Sequence, residues 1–587
     1  MNTPRLLMLA GLVSALPIAS VTAATLPAVE APHAMVVSAQ ALAAQAGHDI
    51  LARGGNAIDA AVAVGFAEAV VNPCCGNIGG GGFMTLHLAS GQDLFLDFRE
   101  TAPAAASADM YLTAEGNVRK GESLYGYRAV GVPGTVSGLL KAHEHYGKLS
   151  RQQVMAPAIA LARDGFILTR ADTDIMDSKV ELFRKDPETA RIFLRPDGSA
   201  WQPNDRFVQK DLARTLSDIA HQGAAAFYTG RIPAAVEAAS NAHAGLLKAS
   251  DFAHYDAKFR TPVSCDYRGY RVISAPPPSS GGVTLCETLN ILEGYDLGKS
   301  GFNSAETAHL MTEALRRAYA DRNTYLGDPD VINNPIAQMT DKKYAASLRA
   351  SIEAQRATPS SSIKPPADMP ERPETTHYSV MDSAGNAVST TFTINGRFGS
   401  GVIAPGTGFL LNDEMDDFTV KVGEQNSYGL VQGTRNAIAP NKRPLSSMAP
   451  TIVTKEGQVY LVVGSPGGSR IITTVLQVIS NVVDHHMGLQ EAVDAPRIHH
   501  QWYPDVIYYE QNGLSADTQT VLKQQGYTLV EQTPWSGVEA IMKGVPGVLD
   551  HAAESSGNDG VLSGKVRAGY VYGSNDARRP AGAAKGL

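Results

Sequence analysis

The chain has 587 residues, 44% of them hydrophobic and 18% charged, with 56 Gly and 33 Pro; this excludes fibrous, coiled and disordered classes and describes a loop-rich globular protein. Lys and Arg number 50 against 58 Asp and Glu, so the formal net charge is −8, the wrong sign for gripping nucleic-acid phosphates. The four cysteines, Cys74, Cys75, Cys265 and Cys286, are too few for a disulfide framework, and none lies in a zinc-binding spacing.

In chain order, Arg5 precedes an apolar run over 6–18, and Val21 and Ala23 fit small-residue cleavage before Ala24. Residues 1–23 are therefore expected to be a signal peptide, with the mature protein in the periplasm or secreted. No other segment reaches the length of a membrane-spanning helix, so no span is expected in the mature chain. Residues 41–71 are rich in small apolar side chains interrupted by Gly54-Gly55, which predicts two packed helices joined by a glycine turn. A run of four glycines, 79–82, leads into strand patterns at 83–88 and 94–98. Residues 135–350 read as mostly helical, for example at 154–163 and 309–321. Cys74 and Cys75 are expected to be free, buried small residues. Cys265 and Cys286 could pair in an oxidising compartment, although sequence does not place their Cα atoms within bridging distance.

The stretch 357–373, ATPSSSIKPPADMPERP, has no hydrophobic periodicity and reads as a linker. Beyond it, TTHYSVMD and AVSTTFTIN flank turn residues at 383–386, a strand-turn-strand signal that opens a β-rich second half at Thr375. A turn centred between Ala384 and Gly385 sets Thr375 opposite Ile394 and Thr376 opposite Thr393, to within a residue or two. Thr391, Thr393 and Asn395 share one face because strand side chains alternate, and a polar face near a strand end is a candidate site.

Several signatures fail. Gly294 and Gly298-Lys299-Ser300 are one residue too close for a P-loop. Ser361 and Lys364 match SxxK only inside the linker, with no helix to aim them. The pairs His485-His486 and His499-His500 are sequence neighbours that do not share a helix face, so a structural role is expected for them.

The runs LLNDEMDDF at 410–418, NKRPLSSMAPTIV at 441–453 and VYLVVGSPGGSRIITTVLQ at 459–477, with TTHYSV at 375–380, resemble the gamma-glutamyltransferase (gamma-glutamyltranspeptidase) family of N-terminal-nucleophile hydrolases. In the first half the resemblance includes GGNAIDAAVA at 54–63, DFRETAP at 97–103, GVPGTVSG at 131–138 and APPPSSGG at 275–282. It implies an α+β fold, a four-layer αββα sandwich, formed by two chains from one self-cleaved precursor. The large subunit would be 24–374 and the small catalytic subunit 375–587, together a heterodimer.

The implied nucleophile is Thr375. Its Oγ would attack the Glu374 carbonyl, and hydrolysis of the resulting ester would free an α-amine. Such an amine titrates at about 7.7–8.0, near operating pH, and can act as the base for its own hydroxyl. Thr393 would orient the nucleophile. Gly467 and Gly468, between an apolar strand and a helix starting near Ser469, would supply oxyanion N–H groups; on spacing alone an ordinary strand-to-helix turn fits equally well. Arg99 would take the substrate α-carboxylate with help from the Ser446 and Ser447 hydroxyls, while Asn395, Glu414 and Asp417 would hold the α-ammonium. Glu414 stands where well-known bacterial relatives have Gln and animal relatives Glu. The segment 419–444, carrying Tyr428, matches the family's lid.

The implied activity is transfer of the gamma-glutamyl group of glutathione and similar compounds to water or to an amino-acid or peptide amine, with no metal or organic cofactor. Two alternatives stand beside it: a glutaryl-type cephalosporin acylase, for which Glu414 and Asp417 would be left facing a neutral group, and a non-catalytic secreted binding protein on the same scaffold.

Overall fold

The computed structural model describes residues 26–363, 375–424, 430, 432–544 and 566–587. The expected signal peptide, Glu374 and Tyr428 lie outside the described residues. The predicted helix pair is present as Ala41–Ala52 and Ala57–Val71. Asn56 caps the second helix by accepting from the Ile58 and Asp59 N–H groups, while Asp59 accepts from Asn56 N. Every residue of that helix is buried, as its all-round apolar sequence requires.

Two seven-stranded antiparallel sheets form the centre. One has the hairpin Thr376–Met381 and Ala387–Thr393 in its middle, flanked by Met35–Ser38 and Gly81–His87. The other places Thr451–Lys455 and Gln458–Val463 between Tyr270–Ser274 and Glu539–Lys543. The sheets pack face to face, with Ala57–Val71 on the outer side of the first and Gly281–Leu292 on the outer side of the second. Each sheet draws strands from both halves of the sequence, so the expected subunits share one core. Among the described residues no helix is long and apolar enough to cross a membrane.

The helical reading of the middle holds, and two other expectations need correction. The region 135–350 is mostly helical, but strands at Lys258–Arg260, Val263–Tyr267 and Tyr270–Ser274 interrupt it and complete sheet edges. The start of the expected linker is anchored rather than loose. Ser360 is buried, donating to Trp502 O at 2.6 Å and receiving Trp502 Nε1 at 3.1 Å, while its N–H reaches Asp505 Oδ2 at 2.7 Å. Short polar residues lacked hydrophobic periodicity, but side-chain and backbone hydrogen bonds fix them instead. Finally, Cys74 and Cys75 are not free: they form a disulfide, buried in a tight turn where Cys75 N donates to Asn72 O at 3.1 Å.

Cys265 and Cys286 are also bridged, with Cα atoms 5.8 Å apart, tying a sheet-edge strand to the helix Gly281–Leu292. The bridge closes a 21-residue separation, and loop entropy assigns such a cross-link about 3 kcal/mol. The double variant Cys265→Ser/Cys286→Ser is expected to unfold at lower temperature than the parent; scanning calorimetry under non-reducing conditions reads the difference, and an unchanged Tm refutes a stabilising role.

Candidate active site

Strand Asp93–Phe98 ends just before Arg99, whose N–H is tied to Asp97 Oδ1 at 3.0 Å. Its guanidinium is fully buried and satisfied on three sides: Nη1 donates to Glu414, Nη2 to Asp417, and Nε to Pro444 O at 3.1 Å. Both carboxylates come from one short 3-10 turn, Glu414–Asp417. Asn412 holds that turn from below, reaching Gly79 O and Gly131 O at 2.8 Å with its amide while accepting from Glu414 N at 3.0 Å. Asn436 Nδ2 holds the far end by donating to Asp417 O at 2.7 Å.

The serine pair is set by another motif. Ser446 N donates to Pro278 O at 2.9 Å, and Ser446 O receives Ser280 N and Oγ at 2.8 and 2.7 Å, so APPPSSGG positions PLSSM directly. Ser446 Oγ accepts from Met448 N at 3.0 Å and Ser447 Oγ from Arg322 Nη2 at 2.9 Å. Each hydroxyl therefore keeps its own O–H to donate.

The hairpin register pairs Thr376 with Phe392, one residue from the predicted alignment, and its continuation sets Thr375 across from Thr393. Asn395 follows at φ +68°, with Nδ2 on Asp413 O at 2.9 Å and N on Thr393 Oγ1 at 2.8 Å. Gly80 lies against this strand end so closely that a Cβ there would stand 1.8 Å from Thr393 O, which explains a glycine at that point of the run.

Thr375, Thr393, Asn395, Arg99, Glu414, Asp417, Ser446, Ser447 and Gly468 line a single small cavity. Of the described candidates only Gly467 does not; it faces a neighbouring cavity. Sequence reasoning missed Arg322 and the apolar wall of Leu430, Leu445, Met448 and Ile471. Arg322 lies in Ala305–Tyr325, a helix buried for most of its length, so the usual solvated-face reading of an arginine does not apply to it. Its guanidinium reaches Ser280 Oγ and Ser447 Oγ, both at 2.9 Å.

Burial shapes the charges. It works against the Arg99 cation, but Glu414, Asp417 and Glu100 outweigh it and raise the guanidinium pKa. Burial likewise raises the carboxyls of Asp413, Glu414 and Asp417, the last two against the opposing pull of Arg99, and lifts Glu100 to about 7. Arg322 is lowered by burial to about 10. The cavity is thus lined by two guanidinium groups, Arg99 and Arg322, and two carboxyl groups, Glu414 and Asp417, a setting for a ligand that carries both a carboxylate and an ammonium. His377, two residues beyond Thr375, is buried and lowered to about 3, and its ring meets Thr391 Oγ1 at 2.8 Å and Ser379 Oγ at 3.1 Å. It is a neutral structural ring, not a base. The second histidine pair is structural as well: His499 bonds Thr473 Oγ1 at 2.9 Å, and His500 faces Asp505 at 3.3 Å.

Strand Gln458–Val463 passes through 464–469 into helix Arg470–Val483, close to the predicted boundaries. Gly467 takes φ +132° and Gly468 φ +55°, conformations that favour glycine. A Cβ on Gly467 would also stand 2.2 Å from Ser536 Oγ.

The family profile described as Gamma-glutamyltranspeptidase matches residues 43–563. A glutathione hydrolase proenzyme of Pseudomonas sp. (strain A14) is 52% identical over 567 residues, covering 97% of this chain and 96% of that protein. Among solved structures, a Helicobacter pylori gamma-glutamyltranspeptidase is 43% identical with a TM-score of 0.55, covering 55% of this chain and 93% of that one. A cephalosporin acylase from Bacillus halodurans superposes more completely, with a TM-score of 0.82 over 98% of this chain and 99% of that one, at 26% identity. On the match of the profile across most of its length, this chain belongs to the gamma-glutamyltranspeptidase family of enzymes.

Proposed function

We propose that the protein is a gamma-glutamyl transferase and glutathione hydrolase that matures by cutting itself between Glu374 and Thr375, as an N-terminal-nucleophile hydrolase. The observation that carries the reading is the placement of Thr375 in the same cavity as Arg99, Glu414 and Asp417. In the precursor, Thr375 Oγ attacks the Glu374 carbonyl carbon, the chain shifts from amide to ester, and water hydrolyses the ester to leave a Glu374 carboxylate and a free Thr375 amine. Chains 24–374 and 375–587 then stay together as a heterodimer, a pairing supported by the sharing of strands in both sheets.

In turnover, the α-amine takes the proton of Thr375 Oγ as the oxygen attacks the γ-carbonyl carbon. The N–H groups of Gly467 and Gly468 stabilise the oxyanion, Thr393 orients the nucleophile, and the leaving amine departs with the proton. Water or an amino-acid or peptide amine then accepts the acyl group. Arg99, Ser446 and Ser447 hold the α-carboxylate, and Arg322, through Ser447, keeps that hydroxyl aimed. Asn395, Glu414 and Asp417 hold the α-ammonium, and Tyr428 belongs to the lid. Because Glu414 and Asp417 also hold the Arg99 fork, donor carboxylate and ammonium are read by one connected set of charges. No metal or organic cofactor takes part. The signal-like pattern over residues 1–23 supports export, to the periplasm or as a secreted enzyme.

A glutaryl-type acylase is the second reading, favoured by the likeness to the cephalosporin acylase fold. The two are separated by kcat/KM on matched gamma-glutamyl and glutaryl anilides. The gamma-glutamyl donor is expected to lead by tenfold or more, about the worth of one charge-assisted hydrogen bond; a leading glutaryl donor refutes the transferase reading.

A further inference from the structure

Two guanidinium groups line the Thr375 cavity, and they are balanced differently. Arg99 donates to Glu414 and Asp417 and has Glu100 3.5 Å away, so its charge is met by acids. Arg322 is also fully buried, yet each of its three nitrogens donates to a neutral oxygen: Nε to Ser280 Oγ at 2.9 Å, Nη1 to Asn323 Oδ1 at 2.8 Å and Nη2 to Ser447 Oγ at 2.9 Å. Its hydrogen bonds bring it no carboxylate. Burial lowers it to about 10 despite Tyr319 and Asp417, and Asp417 is already held by Arg99. A cation taken out of water and satisfied only by neutral oxygens still lacks a counter-charge.

The place of Arg322 gives that lack a direction. Its Nη2 bond leaves the Ser447 O–H free to donate, and Ser447 lines the cavity. A second path runs through Ser280, whose Oγ accepts from Arg322 Nε and donates to Ser446 O at 2.7 Å. One guanidinium therefore braces both serines. A hydroxyl that accepts from a cation is polarised and becomes a stronger donor. A carboxylate taking the Ser447 O–H would stand two hydrogen bonds, roughly 5.5 Å, from the guanidinium. Leu445, Met448 and Ile471 wall the cavity there, so the attraction is screened far less than at an exposed surface.

Resting on the gamma-glutamyl-transfer reading, we propose that Arg322 is a specificity-determining residue of the donor site: it supplies the unmatched positive charge that draws a donor carboxylate onto the serine pair. Arg99 supplies directional N–H groups, held in place by Glu414 and Asp417, but those acids use up its charge. The two arginines thus divide the work of one carboxylate site. The absence of a carboxylate among the hydrogen-bond partners of Arg322 is then functional, because an acid there would cancel the pull. Arg322 acts through Ser447 and Ser280, so it is a positioning residue and not a catalytic one.

Three anilide donors separate the parts: gamma-glutamyl, glutaryl, which lacks the ammonium, and 4-aminobutyryl, which lacks the carboxylate. The parent is expected to favour gamma-glutamyl over 4-aminobutyryl by roughly a hundredfold in kcat/KM, the loss of a carboxylate held by several charge-assisted bonds. Arg322→Gln removes the charge and is expected to cut that ratio about tenfold or more, chiefly through KM. The ratio of gamma-glutamyl to glutaryl, in which the carboxylate is common to both, should move by less than about threefold. Arg322→Lys returns the charge and should keep the first ratio within about threefold of the parent. Each ratio is taken within one protein, so a loss of folded enzyme cancels from it. Should Arg322→Gln fail to mature, Arg322→Lys carries the test alone, since a lysine variant that loses the carboxylate preference overturns charge as its source. An Arg322→Gln ratio equal to the parent's overturns the proposal, and so does an equal fall for all three donors, which marks a purely structural arginine. A parent that releases anilide from gamma-glutamyl and 4-aminobutyryl donors equally well overturns the proposal alone. A parent that releases none from the gamma-glutamyl donor overturns the transferase reading on which it rests.

Discussion

Thr375→Ala is expected to run as one uncut chain on denaturing electrophoresis and to show no gamma-glutamyl transfer. The alanine removes the oxygen that attacks Glu374 and, with it, the route to the free α-amine that serves as base. Nucleophile and base are lost together, so the fall in kcat should match that for removal of a nucleophile elsewhere, roughly 10⁴- to 10⁶-fold. The fold should survive. Thr375 immediately precedes a strand paired on both sides, Thr376–Met381 between Met35–Ser38 and Ala387–Thr393, and the change deletes only a hydroxyl and a methyl group ahead of it. Thr375→Ser keeps the oxygen and the amine and should still cut, leaving a serine as the new N-terminus. N-terminal sequencing of the smaller fragment in the parent reads the cut site. An Ala variant still processed at the same bond would refute the intramolecular mechanism. For the parent, size exclusion should give a single species containing both fragments, because removing either would take strands out of both sheets.

Much of this arrangement was legible in the sequence because it rests on local rules. The hairpin register followed from turn composition and the period of two, and it missed by one residue because the turn centres on Ala384 rather than between Ala384 and Gly385. The glycine turn at 467–468 could be placed because an apolar strand and a helix flank it. Arg322 could not be found that way. Its helix is buried almost all round, so its role comes from contacts with Ser280 and Ser447, distant in sequence. Nor could spacing foresee that Arg99 would be gripped by Glu414 and Asp417, residues that the family pattern assigns to the neighbouring α-ammonium of the substrate. Ser360 shows the same limit: the Pro/Ser composition of 357–373 says nothing about the buried bonds that Trp502 and Asp505 offer it.

Arg99→Lys is expected to lower kcat/KM for a gamma-glutamyl donor by about ten- to a hundredfold while leaving self-cleavage at Thr375 intact. The substitution keeps the positive charge but not the fork. The guanidinium reaches Glu414, Asp417 and Pro444 O in three directions from one plane, and a single ammonium cannot repeat that geometry at the same depth. At least one charge-assisted hydrogen bond is lost, worth about 1.5–3 kcal/mol, where 1.4 kcal/mol corresponds to a factor of ten. One acidic partner is left buried with less compensation, so its carboxyl is pushed further toward the neutral form and grips the donor ammonium less well. Both ends of donor recognition should therefore weaken together, and a glutaryl donor, which needs only the carboxylate contact, should lose less than a gamma-glutamyl donor. Self-cleavage offers no α-carboxylate or α-ammonium to these groups, so its extent on electrophoresis reports whether the scaffold is sound. If the processed variant keeps the parent's KM and kcat for both donors, Arg99 is a structural partner of the Glu414–Asp417 turn and takes no part in binding substrate.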